Sequence, residues 1–153
     1  MNKPTLTIIQ GFIGAGKTTH SKALSRRSGA IRLNGDEYCD THFTIKDLET
    51  NWDECFSDAI KQLWLEAEKL LCDGQSVILD FGFWDKESRD HARLVAQRLN
   101  INFEHIYINT DDNIIMERLA LRSGEIARRN LENFKELKKI FDEPDIDEKY
   151  IKI

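Results

Sequence analysis

The chain reads as an α/β protein in three layers (αβα), a parallel sheet with helices on both faces. Three observations predict it. Short apolar runs, "TLTIIQ" at 5–10, "SVILDFG" at 76–82 and "NFEHIYIN" at 102–109, alternate with segments of helical period. A glycine-studded loop bearing a lysine, "GFIGAGKTT" at 11–19, joins the first of these runs to a helix. Asp36 and Asp80 fall at strand ends, the edge where a parallel sheet binds its ligands.

Taken in order, 5–10 is a short buried strand and Lys17 to about Arg27 the helix under the loop. "AIRLN" at 30–34 is a second strand. An amphipathic helix is predicted over 51–72, with Trp52, Phe56, Ile60, Leu63, Ala67 and Leu70 as its core face. Asn51 and Glu54 read as its capping pair and Gly74 as its stop. The run at 76–82 has the continuous β-branched character of a strand covered on both faces. A helix over 86–98 turns Ala92, Val95 and Leu99 inward, and 102–109 is another strand. A helix at "DDNIIMERLALR", a turn at "SGEIARR", a helix at "NLENFKELKKIF" and a last strand at "KYIKI" follow.

The 153 residues suit one domain, 1–153, able to bury ~70% of its unfolded surface. The 41% hydrophobic and 32% charged content is that of a soluble globular protein. No apolar run reaches the ~20 residues of a membrane span, and the first strand starts too early for a signal peptide. Cys39, Cys55 and Cys72 lack metal or disulfide spacing, which points to a reducing, cytoplasmic setting. His20, His42, His91 and His105 read as structural. The net charge of −5 is segregated: 36–58 is acidic, 118–139 basic.

Gly11, Gly16, Lys17 and Thr18 satisfy GxxxxGK[ST], with Gly14 and Ala15 between them. In its strand–loop–helix context this is the phosphate loop of a P-loop NTPase fold. Glycines let backbone N–H groups face phosphate oxygens, and the helix opening at Lys17 adds its partial positive charge. Lys17 is expected at the β and γ phosphates, Thr18 on Mg²⁺ and Thr19 at the α phosphate. Asp80, after four apolar residues, is the expected second Mg²⁺ group, the alternative being a strand-end cap. Asp36 is a candidate general base for an acceptor hydroxyl, with Glu37 and Asp40 as alternatives and an exposed turn carboxylate as the plain reading. Arg118 and Arg122 share a helical face before a turn, with Arg128 and Arg129 beyond it, an arrangement suited to closing over phosphates. Arg89 either binds an anionic acceptor or pairs with Asp85 or Asp90. "DFG" at 80–82 does not indicate a protein kinase, because the lysine lies inside the glycine loop.

With those residues in view, the chain resembles the small bacterial "AAA family ATPase" proteins of the P-loop kinase branch, related to polynucleotide kinase, chloramphenicol phosphotransferase and zeta-toxin kinases. The matching stretches are "GFIGAGKTT", "GAIRLNGDEY", "VILDFGFWDKESRD", "ERLALR" and "IFDEPDIDE", which occupy nearly the whole chain in order. The resemblance implies an adenylate-kinase-like core with five parallel strands, a short arginine-bearing lid and ATP as the nucleotide. It makes Asp36 a catalytic base or acceptor-binding acid, Arg118 and Arg122 lid arginines, and Arg89 part of the acceptor region. Cys39 stands where polynucleotide kinases carry the arginine of Asp-x-x-Arg, which disfavours a nucleic-acid acceptor.

The expected activity is transfer of the γ-phosphate of ATP, with Mg²⁺, to a hydroxyl of a small-molecule acceptor. An ATP-hydrolysing switch and a polynucleotide 5′-hydroxyl kinase are the alternatives.

Overall fold

The computed structural model describes residues 2–153. Its sheet contains β1 (Thr5–Gly11), β2 (Ile31–Asn34), β3 (Val77–Gly82), β4 (Asn102–Ile108) and β5 (Ile151–Lys152). The strand order is β2-β3-β1-β4-β5, and every neighbouring pair is parallel. The helices are α1 (Lys17–Ser28), α2 (Gly35–His42), α3 (Ile45–Thr50), α4 (Trp52–Cys72), α5 (Lys86–Arg98), α6 (Asp112–Leu121), α7 (Glu125–Glu132) and α8 (Phe134–Ile140). The five parallel strands and the layering agree with the fold expected from the sequence.

Strand alternation builds two cores. Leu6 and Ile8 of β1 and Val77 and Leu79 of β3 face α4 and α5, where they meet Leu63, Ala67, Leu71, Ala92 and Val95. Ile9, Ile78, Ile106 and Ile108 face the opposite way, against Ile115 and Leu119 of α6 and Phe134 of α8. Fully burying each such side chain is worth about 1.5–3 kcal/mol. Asp80 occurs in the second set by the same alternation, which aims its carboxylate at α1. The strand continues two residues past Asp80 to Gly82, so Asp80 does not close it.

Three elements differ from expectation. The first is α4, whose core stripe is Cys55, Ala59, Leu63, Ala67 and Leu71, repeating every four residues. Trp52, Phe56, Ile60 and Trp64 form a neighbouring, half-buried stripe. Asn51 precedes α4 but gives it no side-chain cap; its amide donates to Thr50 instead. The second is the acidic stretch after Asn34, which contains two further helices. Asn34 Oδ1 accepts the Glu37 N–H at 2.8 Å to start α2, and Thr44 with Asp47 makes a capping box for α3. The third is the segment after Gly124, which is helical (α7) and not a turn. The next helix begins only at Phe134, after a break at Asn133. In α7, Arg128 pairs with both Glu125 and Glu132, one turn to either side.

Candidate active site at the phosphate loop

The loop between β1 and α1 sits at the carboxyl edge of the sheet. Gly14 and Gly16 have φ of +80° and +103°, a region that disfavours any side chain, so a substitution at either would strain the loop. Ala15 N–H closes a turn onto Phe12 O at 3.0 Å, and Thr110 Oγ1 donates to Ala15 O at 2.7 Å, tying the loop to the end of β4. A Cβ on Gly11 would stand 3.0 Å from Lys17 Cγ and 3.3 Å from Ile108 O, so Lys17 packs where only glycine leaves room. Lys17 Nζ donates to Phe12 O at 2.9 Å across the loop.

Around this loop the structure gathers most residues singled out in the sequence. Gly14, Ala15, Gly16, Lys17, Thr18, Thr19, Asp36, Asp80, Arg118 and Arg122 line one cleft of about 2110 Å³. Arg118 Nη1 donates to Gly14 O at 2.9 Å, so this arginine touches the loop itself. Burial pulls the Lys17 ammonium below its ordinary pKa, opposed by the charges of Asp80 and Asp36. The Asp36 carboxyl is pushed upward by desolvation, with Asp80 and Asp40 adding to the rise, while Lys17 and Arg122 oppose it. Asp36 lies in the first turn of α2, held there by the Asn34 cap.

Asp80 is 3% exposed. Its Oδ2 accepts from Ser21 Oγ at 2.7 Å and Arg32 Nη2 at 3.1 Å, whereas its buried Oδ1 has no partner. Neither Ser21 nor Arg32 was singled out from the sequence. Arg32 sits on β2 facing α1, bridges Asp80 to Glu37 and donates to Ser21 Oγ at 2.6 Å. The alternation of "IRLN" shows which face Arg32 occupies, but only the pairing of β2 with β3 brings it to Asp80. Among the described residues, no group of three His, Cys, Asp or Glu side chains could hold a metal. A cation here would rest on phosphate oxygens, the Thr18 hydroxyl and the free Asp80 oxygen. That donor set fits Mg²⁺, which keeps several of its waters and takes one or two carboxylates beside substrate phosphates.

Arg89 is a correction. It does not reach the cleft: its side chain is fully buried and all its N–H groups are spent. Nε and Nη2 hold Glu148 at 2.9 and 3.1 Å, Nη1 donates to Phe83 O and Asp142 O, and Nη2 also reaches Glu143 O. Its ion pair is with Glu148, not with Asp85 or Asp90. Phe83 has φ of +48°, directly after Gly82 at +91°, so Arg89 secures a strained turn that borders the cleft. The stretches "LDFGFW" and "IFDEPDIDE" meet at this guanidinium.

The far wall of the cleft is aromatic. Trp52, Phe56 and Trp64 of α4 and Phe81 of β3 line it, and Asp36, Asp40 and Asp53 line the same cleft. Helix α7 reaches this wall: Arg129 Nη2 donates to Glu49 O at 2.7 Å, and Ile126 packs on the cluster of Cys39, Leu48, Cys55 and Ala59. Cys39 is fully buried in that cluster, so position 39 presents nothing to the cleft.

The fold recurs among solved structures. A Chloroflexus aurantiacus protein provisionally assigned as a kinase matches with a TM-score of 0.76 at 18% identity, over 99% of this chain and 88% of that one. A gluconokinase from Sinorhizobium meliloti matches at 0.68 and 14% identity, over 100% and 83%. The Mycobacterium tuberculosis APS kinase CysC, in complex with AMPPNP and APS, matches at 0.63 and 16% identity, over 100% and 89%. At these identities the likeness is one of fold. No curated protein matches the chain at a significant level. The family model of the AAA domain matches residues 6–144, from the first strand through the phosphate loop and lid to the loop that Arg89 holds, and the chain belongs to that family.

Proposed function

We propose that this protein is an ATP- and Mg²⁺-dependent phosphotransferase acting on a hydroxyl of a small molecule. The observation that carries the reading is that the phosphate loop and Asp36 share a cleft that continues along an aromatic wall, beyond what the phosphates occupy. Kinases on the same fold support it, among them a gluconokinase and a kinase holding AMPPNP together with APS.

In this reading the loop amides, Lys17, Arg118 and Arg122 neutralise the phosphates and hold the γ-phosphorus in line with the acceptor. Mg²⁺ would be held by Thr18 and Asp80 and would supply charge neutralisation on the phosphate oxygens. Arg32 and Ser21 fix the Asp80 carboxylate through Oδ2 and leave Oδ1 without a partner. Asp36 takes the acceptor's proton as the new O–P bond forms and the bond to the ADP oxygen breaks. The lid shuts out water, the competing acceptor.

The test is incubation of the purified protein with ATP, Mg²⁺ and pooled cell metabolites, with an Asp36→Asn sample beside it. A new phosphorylated species by mass spectrometry that is absent from the variant supports the reading. ADP formed without one assigns the phosphate to water, and the protein to nucleotide-dependent switching.

A further inference from the structure

We propose that Arg32 and Glu37 are a pair of positioning residues that keep one oxygen of Asp80 open for the cation, Glu37 doing so by holding back one arm of the Arg32 guanidinium. This rests on the Mg²⁺-dependent part of the phosphotransferase reading and names two residues that act on the cation through Asp80.

Three observations carry it. First, the Arg32 side chain is 9% exposed beside an Asp80 side chain at 1%, a setting for the two-bond grip that arginine makes on a carboxylate. That grip is not made. A guanidinium offers a carboxylate two edges, Nε with Nη2 and Nη1 with Nη2. Only Nη2 reaches Asp80, at 3.1 Å to Oδ2. Second, the other member of each edge is taken. Ser21 Oγ accepts from Nε at 2.6 Å, and Glu37 accepts from Nη1 at 2.9 Å on each of its oxygens. Ser21 Oγ in turn donates to Oδ2 at 2.7 Å, so both donors converge on the same Asp80 oxygen. Third, Oδ1 is left buried and without a partner. An ion pair serving the fold alone would satisfy both oxygens, because a bare buried acceptor is destabilising. The Glu37 half of the arrangement adds little stability of its own: its side chain is 54% exposed, and surface ion pairs are weak. Its place in the first turn of α2 is set by Asn34, whose Oδ1 accepts the Glu37 N–H at 2.8 Å while Nδ2 donates to Asp80 O at 3.3 Å. One residue of β2 thus ties together the main chains of both carboxylates that share Arg32. Without Glu37, Nη1 is free to turn to Oδ1, and the grip closes on the oxygen the cation needs.

The test is calorimetric titration of AMPPNP into the purified protein, once with Mg²⁺ and once with EDTA, for the parent, Glu37→Ala, Arg32→Gln and the double variant. The ratio of the two affinities isolates the cation's share of binding. Glu37→Ala should lower that ratio by about tenfold, the scale on which groups that orient a metal ligand act. Its metal-free affinity and thermal midpoint should be retained. In the Arg32→Gln background, Glu37→Ala should have no further effect, because no guanidinium is left to close on Asp80. Where Arg32→Gln does not fold, Arg32→Lys takes its place, since a single ammonium group cannot make the two-bond grip. A ratio in Glu37→Ala within about twofold of the parent overturns the inference, and so does an equal loss with and without Mg²⁺. A loss as large in the Arg32→Gln background as in the parent overturns it too. A parent protein whose AMPPNP affinity ignores Mg²⁺ overturns the inference and the cation of the phosphotransferase reading together. Because binding is read without turnover, failure to find any acceptor counts against that reading and leaves this result standing.

Discussion

Asp36 and Lys17 act on one another through their charges, and the proposed chemistry rests on that pair. Lys17→Met removes the cation from the loop, and ADP formation should fall by about 10²–10³-fold. Asp36→Asn should cut transfer by about 10²–10⁴-fold while leaving ATP affinity unchanged; an equal loss of both would make Asp36 a structural residue. Burial raises the Asp36 carboxyl above the usual carboxylate range, with Lys17 and Arg122 opposing the rise. A base works ionised, so activity should rise with pH through that raised value and fall on the acid side. Arg122→Ala removes one of the two opposing cations, and the acid limb of the kcat/KM profile should then move to higher pH. A limb that stays in place would show that Asp36 is not the titrating base.

At the scale of elements, the clamp between α5 and the segment before β5 shows what two distant stretches of chain can do together. Arg89 and Glu148 are 59 positions apart and both are buried. Glu148→Gln leaves the guanidinium without its counter-charge, which should cost about 3–5 kcal/mol in urea denaturation. Replacing the pair by Arg89→Met with Glu148→Leu should recover much of that loss. The same clamp marks how far the sequence could be read. The phosphate loop was legible because its spacing is local and its strand–loop–helix setting lies within 16 residues of Thr5. The strands were legible because β-branched runs buried on both faces carry their own pattern, and α5 matched its predicted span because Asp85 caps it locally. Arg89 was not legible, since its partner lies far along the chain and its position after Asp80 suits a ligand equally well. The aromatic stripe of α4 was legible only in part for a related reason: Trp52, Phe56 and Trp64 pack on the core as expected, and they line the cleft as well. Periodicity finds two apolar stripes there, and only the fold shows that Ala67 faces the sheet, Ala59 the cluster with α2 and α3, and that Trp52 and Trp64 also line the cleft. The helices α2 and α3 had a readable signal, Asn34 before Glu37 and Thr44 before Asp47, which the acidity of the stretch obscured.

Across the whole molecule, the buried network behind the sheet makes stability depend on acid in two successive windows. His105 is 2% exposed on β4. Its ring is within 2.8 Å of Arg93 Nη2 at Nδ1 and of Gln10 Oε1 at Nε2, so Nδ1 accepts and Nε2–H donates when the ring is neutral. Burial, then the nearby Arg93 charge, lowers its pKa to about 4. Between its ordinary 6.5 and that value the unfolded chain binds the proton and the folded chain does not. Stability must therefore fall as pH drops from 6.5 to about 4, by a total on the order of 3 kcal/mol for a shift of 2.5 units. Glu148 acts in a lower window. Burial alone would raise its pKa, but hydrogen bonds from Arg89, the Asp145 N–H and Arg93 outweigh burial and bring it to about 2. Its contribution is whole above its ordinary 4.5 and is lost as pH falls toward 2. Thermal midpoints measured from pH 7 to 3 should decline throughout. His105→Gln should flatten the part above pH 4 and leave the lower part in place, because the carboxylate clamp survives that change. A profile in the variant as steep as in the parent above pH 4 would place the titrating group elsewhere. The order of the windows follows from the architecture: the imidazole is protected by burial and a neighbouring cation, the carboxylate by two arginines, and both lie on the side of the sheet away from Asp80. Acid should therefore loosen the scaffold from behind, and a loss of transfer activity in mild acid at constant secondary structure would be assigned to Asp36 and not to this network.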